Sequence, residues 1–271
     1  MENTLVYENL TCKVCGLVKS VGEWIKMQLG AVEEKDIDTK SLNSLVSYVD
    51  KQAEAKLLEG LLQALPHSKT LAEESNPEAQ LNDEDYFWII DPLDGTTNFL
   101  HQLPFFSISV ALYKGGEILL GVVFEVNRAE LFYAWKGSKA AYLNGKEIHV
   151  AQREHFSQTL LATGFPYYDF AYQTHYMKLF AALMPQVRGL RRLGSAALDL
   201  AYTACGRFDG FFEYSLSPWD VAAGAFLVQQ AGGTVTDFEG GKNYLLGKTI
   251  VAGSAYTHPK LQAEIALYFS K

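Results

Sequence analysis

Two aspartates three positions apart are the residues of this sequence best suited to chemistry. Asp91 and Asp94 lie in the run DPLDGTTN, residues 91–98. Asp91 follows a short apolar run typical of a buried strand, and two carboxylates at the end of a strand can face the same point. Their mutual repulsion is relieved when a hard cation lies between them, and carboxylate oxygens suit Mg²⁺ or Mn²⁺. The spacing therefore indicates a site for a divalent metal.

The residues that follow this pair suit an anion. Gly95 permits a tight turn, and the backbone amides of Gly95 and Thr96 could bind an anion if a helix starts at Thr96 or Thr97. Metal-binding carboxylates that lead directly into an anion-binding turn suggest a phosphate ester held by metal ions. An ordinary Asx-type turn with glycine has the same pattern, so both interpretations remain open on these residues alone.

Other acidic residues also allow two interpretations. Glu73 and Glu74 lie in a polar segment, where they are either metal ligands or a solvated charge pair. Asp220 lies at the predicted start of a helix, where an aspartate is either a further ligand or a favourable neighbour of the helix dipole. The six histidines are scattered, which gives no support to a histidine-based metal site or a Ser-His-Asp triad.

Hydrophobic periodicity predicts the elements that position these residues. Two amphipathic helices are expected at residues 5–29 and about 46–62, and residues 68–87 are expected to form a surface loop. The apolar run 87–90 predicts a buried strand, and Pro92 is expected to end it.

The rest of the chain predicts more strands and helices. Residues 105–150 have the pattern of an antiparallel meander, with Asn144-Gly145 its clearest hairpin turn. The later elements expected are a helix at about 195–205, a strand at 210–214, a helix that starts near Trp219 and ends at Gly232-Gly233, strands at 234–238 and 249–253, and a last helix from Thr257. The fold class is α/β (α+β) with layered sheets and helices, and residues 1–271 are expected to form one domain with halves of about 1–150 and 151–271.

Composition limits the partners and the compartment. The 271 residues include 23 Lys and Arg against 31 Asp and Glu, a net charge of −8, which argues against a nucleic acid or an anionic membrane as partner. No apolar run is long enough for a membrane span, and the first residues lack the basic region of a signal peptide. With only three cysteines, a cytoplasmic protein is expected. The Cys12-x-x-Cys15 pair is interpreted as part of a helix and not as a redox or zinc motif.

Three stretches resemble signatures of the inositol monophosphatase family. They are WIIDPLDGTTNF at 88–99, WDVAAG at 219–224 running on to AGG at 231–233, and LAEES at 71–75. The third is similar to the family's Gly-Glu-Glu-Ser segment, with Ala72 in place of glycine, which is tolerated unless the backbone there needs a positive φ. The resemblance covers nearly the whole chain, from the paired N-terminal helices to the last helix.

The resemblance implies a layered α-β-α-β-α sandwich of the sugar-phosphatase type, usually a homodimer. It also implies an active site with roughly two to three Mg²⁺ ions, or Mn²⁺ in their place. The metal ligands that it implies are Glu73, Asp91, the Leu93 carbonyl, Asp94 and Asp220. Thr96 and Glu73 are implied to orient and help deprotonate the water that attacks phosphorus, and Asp50 to hold a third metal partly through water.

The resemblance also implies a substrate side of the site. The residues that match it are Asp94, Gly95, Thr96, Gly194, Ser195, Ala196, Glu213 and Asp220. In the family, the glutamate at Glu213 accepts hydrogen bonds from hydroxyls of inositol. Arg191 and Arg192 match arginines near the dimer interface of bacterial members. A basic pair before a helix also suits phosphate, so their role stays open.

The activity implied by the resemblance is hydrolysis of myo-inositol 1-phosphate, or a similar polyol or sugar phosphate, by activated water. Relatives of the same fold cleave fructose 1,6-bisphosphate, histidinol phosphate, NADP or 3′-phosphoadenosine 5′-phosphate, and these remain alternatives. A non-catalytic partner of the transcription machinery, as one bacterial relative is understood to be, also remains open. Inhibition by Li⁺ is expected from the resemblance, and neither a membrane nor direct nucleic-acid binding is expected.

Overall fold

The computed structural model describes residues 2–41, 44–166 and 169–269. The helices are α1 (Glu2–Met27), α2 (Tyr48–Ala64), α3 (Thr96–Leu100), α4 (Gln173–Leu183), α5 (Ala196–Ala204), α6 (Pro218–Gln230) and α7 (Thr257–Phe269). The strands are β1 (Ile37–Ser41), β2 (Ser44–Ser47), β3 (Lys69–Ala72), β4 (Phe87–Asp94), β5 (Ser107–Lys114), β6 (Glu117–Glu125), β7 (Glu130–Trp135), β8 (Ala141–Leu143), β9 (Lys146–Ile148), β10 (Leu160–Thr163), β11 (Gly189–Arg191), β12 (Gly210–Tyr214), β13 (Thr234–Thr236) and β14 (Thr249–Gly253).

The strands of the described residues form three sheets. The largest has seven strands in the order β3-β4-β5-β6-β7-β8-β9, antiparallel except that β3 is parallel to β4. The second has five strands in the order β11-β10-β12-β14-β13, in which β10 is parallel to both β11 and β12. The third is the antiparallel pair of β1 and β2, which leads directly into α2.

The hydrophobic cores define five layers. In β4, Trp88 and Ile90 pack with α1 and α2 on one face of the seven-stranded sheet. Phe87 and Ile89 point to the opposite face, where α5 and α6 lie between this sheet and the five-stranded sheet. Both faces of β4 are therefore buried, which explains why its sequence is apolar throughout. Helices α4 and α7 cover the outer face of the second sheet, so the layer order is α-β-α-β-α.

Much of the predicted secondary structure is confirmed. The meander is formed by β5 to β9, and its hairpin at Asn144-Gly145 has left-handed φ values of 48° and 83°, as a tight turn of this type requires. The predicted strands at 210–214 and 249–253 coincide with β12 and β14. The helix expected at about 195–205 is α5, with Ser195 as its N-cap.

Two predictions beside the candidate site were wrong. Residues 68–87 are not only a loop, because β3 lies at 69–72 and pairs with β4. Pro92 does not end the buried strand, because β4 continues to Asp94. The pairing with β5 shifts register between Asp91 and Asp94, and such an irregularity accommodates a residue that has no amide proton to donate.

Candidate active site

The candidate active site is a cleft of about 510 Å³. It lies where the end of β4, the end of β3 and the starts of α5 and α6 meet. The residues that the sequence marked as candidates and that line this cleft are Glu73, Asp91, Leu93, Asp94, Gly95, Thr96, Gly194, Ser195, Ala196, Glu213 and Asp220. Asp50 is not among the lining residues but is hydrogen-bonded to one of them, Thr96.

The register shift in β4 places Asp91, Leu93 and Asp94 together at the cleft. Asp91 is 2% exposed, and its Oδ1 accepts a hydrogen bond from the Leu93 amide at 2.9 Å. Between Asp91 and Asp94, β4 has one residue more than the opposing segment of β5, which runs from Ser109 to Ser107. This extra residue breaks the alternation of side chains along the strand, so two carboxylates three apart can serve one cleft.

Strand β3 brings Glu73 to the same place. Ala72 pairs with Ile90 in the parallel ladder, and the Glu73 amide donates to the Ile90 carbonyl at 3.2 Å, so Glu73 lies beside Asp91. Glu54, a buried residue of α2, accepts a hydrogen bond from the Glu74 amide at 2.8 Å and fixes this segment. Glu54 was not among the predicted site residues, because its only signal in the sequence is a charge on the apolar face of a helix.

Asp94 and Asp220 are both fixed by helix starts. Asp94 Oδ2 accepts hydrogen bonds from the Ser195 hydroxyl at 2.6 Å and the Ala197 amide at 2.7 Å, both at the N-terminus of α5. Asp220 is the third residue of α6, and its Oδ2 accepts from the Ser217 amide at 2.7 Å in a capping box. Two helices from the second half of the chain thus hold carboxylates at the cleft.

Thr96 and Asp50 form a hydrogen-bonded pair. The Thr96 hydroxyl is 2.8 Å from Asp50 Oδ1 and 3.1 Å from the Leu93 carbonyl oxygen. Asp50 Oδ2 accepts hydrogen bonds from both the amide and the hydroxyl of Ser47, at 2.8 and 2.7 Å. Asp50 is 1% exposed, so the capping box of α2 sets the direction of its second oxygen toward Thr96.

Gly95 is the residue that allows these groups to approach. Its φ is +102°, and a Cβ at this position would lie 3.1 Å from the Phe105 carbonyl oxygen and 3.2 Å from that of Gly194. Asn98 links the same segments, since its Nδ2 donates to the carbonyl oxygens of Phe105 and Leu193, each at 2.8 Å. The turn that precedes α3 is thereby fixed against the turn that precedes α5.

Burial and neighbouring carboxylates raise the pKa of both Asp91 and Asp94. Burial raises the pKa of Asp91 well above its usual range, and the charges of Glu73, Asp94 and Asp220 raise it further. Burial raises the pKa of Asp94 to about 6, despite the opposing effect of the hydrogen bond from Ser195. A cluster of like charges in a buried cleft is costly unless cations are bound, which is the condition under which these residues would be ionised together.

The donor set fits Mg²⁺ in its chemistry. It consists of oxygen atoms, from carboxylates and the Leu93 carbonyl, which hard divalent cations prefer. Within the described residues, no three His, Cys, Asp or Glu side chains stand in an arrangement that would already hold an ion. The fit therefore rests on the type of donor, on the convergence of these residues on one cleft and on their mutual repulsion.

The side of the cleft formed by β12 and α5, called the far side below, contains Glu213, which is 7% exposed. Burial raises the pKa of Glu213 well above its usual range, while the Arg192 guanidinium opposes that shift. Arg192 lines the cleft and lies over the ring of Phe165, with 5.9 Å between its Cζ and the ring centroid. Asp199 also lines it and is 1% exposed. The sequence left two roles open for Arg192, and Asp199 was not predicted because it looks like an ordinary helix residue in the sequence.

The structure also bears on three other features of the sequence, namely the cysteine pair, Ala72 and the question of membrane-spanning helices. Cys12 and Cys15 lie on α1, away from the cleft, and burial raises the pKa of the Cys15 thiol to about 12. Ala72 does not have a positive φ, so alanine is compatible with the backbone where the family has glycine. Among the described residues, no helix combines the length and apolar character needed to cross a membrane.

The fold and the site together define a class of layered α/β proteins with a carboxylate-rich cleft. The sequence model of the inositol monophosphatase family matches residues 6–271. The protein therefore belongs to the inositol monophosphatase family.

Individual relatives agree with this membership. The chain is 43% identical over 236 residues to the Nus factor SuhB of Escherichia coli K12, covering 87% of this chain and 88% of the relative. Its structure is similar to that of the extragenic suppressor protein SuhB from Bartonella henselae, with a TM-score of 0.86, 37% identity and coverage of 95% and 97% of the two chains. It is also similar to an inositol monophosphatase from Anabaena, with a TM-score of 0.84, 34% identity and coverage of 96% of each chain.

Proposed function

We propose that the protein is a Mg²⁺-dependent phosphomonoesterase that hydrolyses myo-inositol 1-phosphate or a similar polyol phosphate to the alcohol and inorganic phosphate. The observation that carries this proposal is the convergence of Glu73, Asp91, Asp94 and Asp220 on one cleft, beside Thr96. Family membership supports a phosphatase, and the cleft supplies the oxygen donors that Mg²⁺ requires. Bound Mg²⁺ would make water more acidic and offset the charge of the phosphoryl group.

The residues of the cleft then have separate tasks. The Thr96 hydroxyl donates a hydrogen bond to Asp50, so the lone pairs of its oxygen are available to accept a hydrogen bond from the attacking water. Glu73 stands near Asp91 on the same side, where its carboxylate can receive a proton from that water. Asp94 is held by Ser195 and the Ala197 amide and keeps its place as the phosphoryl group is transferred. No covalent intermediate with the protein is needed.

A polyol monophosphate suits the far side of the cleft best. The carboxylates of Glu213 and Asp199 lie there, and carboxylates accept hydrogen bonds from hydroxyls but repel a second phosphate. Arg192 is the one Lys or Arg among the described residues that line the cleft, and its charge acts on both of these carboxylates. This balance disfavours fructose 1,6-bisphosphate, NADP and 3′-phosphoadenosine 5′-phosphate, and histidinol phosphate lacks the ring of hydroxyls.

The test is a panel of these five substrates with Mg²⁺, using the wild type, Asp91→Asn and the exposed-site control Asp83→Asn. We expect the highest kcat/KM for inositol 1-phosphate and a loss of at least roughly 10²-fold in Asp91→Asn, because a metal ligand is removed. Asp83→Asn should match the wild type. A kcat/KM for inositol 1-phosphate about a hundredfold below that of another substrate would refute the polyol assignment. Equal activity of Asp91→Asn and wild type would refute the metal site.

A second candidate function has its own support, since relatives at 41–43% identity are named Nus factor SuhB or putative Nus factor SuhB. This favours a role as a partner of the transcription machinery, either beside the phosphatase activity or in its place. Asp91→Asn separates the two roles. A cellular function that survives complete loss of phosphatase activity would assign that function to a partner-binding surface and not to the cleft.

We further propose a cytoplasmic homodimer that is inhibited by Li⁺, following the family resemblance. Sedimentation of the purified protein and assays at millimolar Li⁺ test these two properties directly.

A further inference from the structure

Gly164 directly follows β10 and lies beside Glu213, which is on the neighbouring strand β12. Strands β10 and β12 are parallel, with Ala162 opposite Phe211 and Thr163 opposite Phe212. One step further along the same register, Gly164 lies opposite Glu213. The Thr163 hydroxyl donates to the Phe212 carbonyl at 2.8 Å, which fixes the two strand ends against each other just before this pair.

The Glu213 carboxylate occupies the space that a side chain at position 164 would need. A Cβ built on Gly164 would lie 1.9 Å from Oε1, 2.1 Å from Cδ and 2.2 Å from Oε2 of Glu213, and these are the three heavy atoms nearest to it. Gly164 has no left-handed φ, so its backbone would accept alanine without strain. Glycine is therefore required at this position because it has no side chain, and not because of its backbone conformation.

Glu213 lines the cleft, so a carboxylate displaced by a side chain at position 164 would move within the cleft. Glu213 is only 7% exposed, and the Asp220 and Asp94 carboxylates lie close enough for their charges to act on it. Arg192 attracts the carboxylate where it lies. An added Cβ needs a contact distance beyond 3.0 Å, so alanine at 164 would force the carboxylate to move by more than an ångström.

We propose that Gly164 is a positioning residue that sets the place of the Glu213 carboxylate and thereby the preference for polyol phosphates over phosphate esters without hydroxyls. Gly164 also lines the cleft, but the effect proposed here is exerted through Glu213. The inference rests on the proposed function, since it takes Glu213 as the acceptor for a substrate hydroxyl. A displacement of this size is enough to lose a hydrogen bond to a charged group.

The test compares kcat/KM for inositol 1-phosphate with kcat/KM for phenyl phosphate in the wild type and in Gly164→Ala, both with Mg²⁺. We expect the ratio of the two to fall by roughly 10- to 100-fold, mainly through a higher KM for inositol 1-phosphate, because a binding interaction is lost. The matched control is Gly16→Ala, an exposed helix position where an added Cβ meets nothing within 4 Å, and its ratio should equal that of the wild type.

A double variant separates positioning from a general structural effect. In Glu213→Ala the space beside Gly164 is vacated, so adding Gly164→Ala should lower neither the selectivity ratio nor the Tm any further. The inference would be overturned if the double variant lost more selectivity than Glu213→Ala alone. It would also be overturned if Gly164→Ala left the selectivity ratio unchanged. A wild type that does not prefer inositol 1-phosphate would refute the proposed function instead. The Tm comparison, which needs no substrate, would then still decide whether residue 164 and Glu213 share one volume.

Discussion

The Thr96 hydroxyl lies between two acceptors, the Asp50 carboxylate at 2.8 Å and the Leu93 carbonyl oxygen at 3.1 Å. A hydroxyl has one proton, so a hydrogen bond donated to the buried Asp50 leaves its lone pairs free to accept a hydrogen bond from water. Asp50 is in turn held by two hydrogen bonds from Ser47. At the scale of single residues, the proposed reaction thus depends on the direction of one proton.

Removal of the Thr96 hydroxyl should slow the chemical step. We expect Thr96→Ala to lower kcat by roughly 10²- to 10³-fold with little change in KM, because the hydroxyl orients the nucleophile and not the substrate. Steady-state kinetics with inositol 1-phosphate measure both constants. Thr96→Ser, which keeps the hydroxyl, is the matched control and should retain most of the activity. A rise in KM with unchanged kcat would assign Thr96 to substrate binding.

At the scale of elements, the two strands that carry the site were the hardest to predict. β3 has only four residues, KTLA, with exposed Lys69 at one end and an acidic loop after it, so the pattern is that of a loop. The parallel pairing with β4 overrides this local signal. In β4, the proline was expected to end the strand because it cannot donate a hydrogen bond, but the extra residue in the ladder removes that requirement.

Other elements were predicted well because their local signals agree with their environment. The meander has alternating strands and an Asn-Gly turn, and α5 begins at a serine cap. The convergence of the candidate metal ligands from β4, α6 and the end of β3 follows from tertiary packing, which no local pattern contains. The family resemblance implied those candidates, whereas Glu54, Asp199 and the fit of Gly164 against Glu213 became visible only in three dimensions.

Replacing Ala72 with the glycine found in the family should lower the stability of this protein and leave its activity nearly unchanged. Ala72 is fully buried at the end of β3 and has no positive φ, so Ala72→Gly removes a packed methyl group and makes the unfolded chain more flexible. We expect about 1–2 kcal/mol of lost stability in urea unfolding. Phosphatase activity should remain within about twofold of the wild type, because Glu73 keeps its backbone hydrogen bond. A gain in stability would show that the backbone here favours glycine.

At the scale of the whole molecule, the two halves of the chain share their core. Helices α5 and α6 from the second half pack against β5 and β6 of the first sheet as well as against β14 of the second. This supports the proposal that residues 1–271 form one domain.

The net charge of −8 is unevenly placed, since Glu73, Asp91, Asp94 and Asp220 all lie at one cleft. The pKa of Asp94 is raised to about 6 and that of Asp91 is raised well above its usual range, chiefly by burial. At these two carboxyls the folded protein therefore holds more protons than the unfolded chain above pH about 4. Their contribution to the stability of the metal-free protein is by this sign lost as the pH rises through about 6 and above.

We therefore expect the Tm of the metal-free protein to be lower at about pH 7.5 than at about pH 5.5, and Mg²⁺ to raise the Tm more at the higher pH. Thermal unfolding with EDTA and with Mg²⁺ at both pH values measures these effects. Asp94→Asn, which removes one charge and keeps a similar shape, should show a smaller pH dependence. An equal response to Mg²⁺ at both pH values would contradict the placement of the cation among these carboxylates.

The hydrogen bonds that hold Asp94 have a consequence for synthesis of the protein. Their donors, Ser195 and Ala197, are 101 and 103 positions further along the chain, and Asp220 follows later still. The first half therefore leaves the ribosome with unpaired carboxylates and with the inner face of its large sheet uncovered by α5 and α6. A nascent chain at this stage exposes apolar surface that chaperones recognise, and premature termination there would yield an aggregation-prone fragment without an active site.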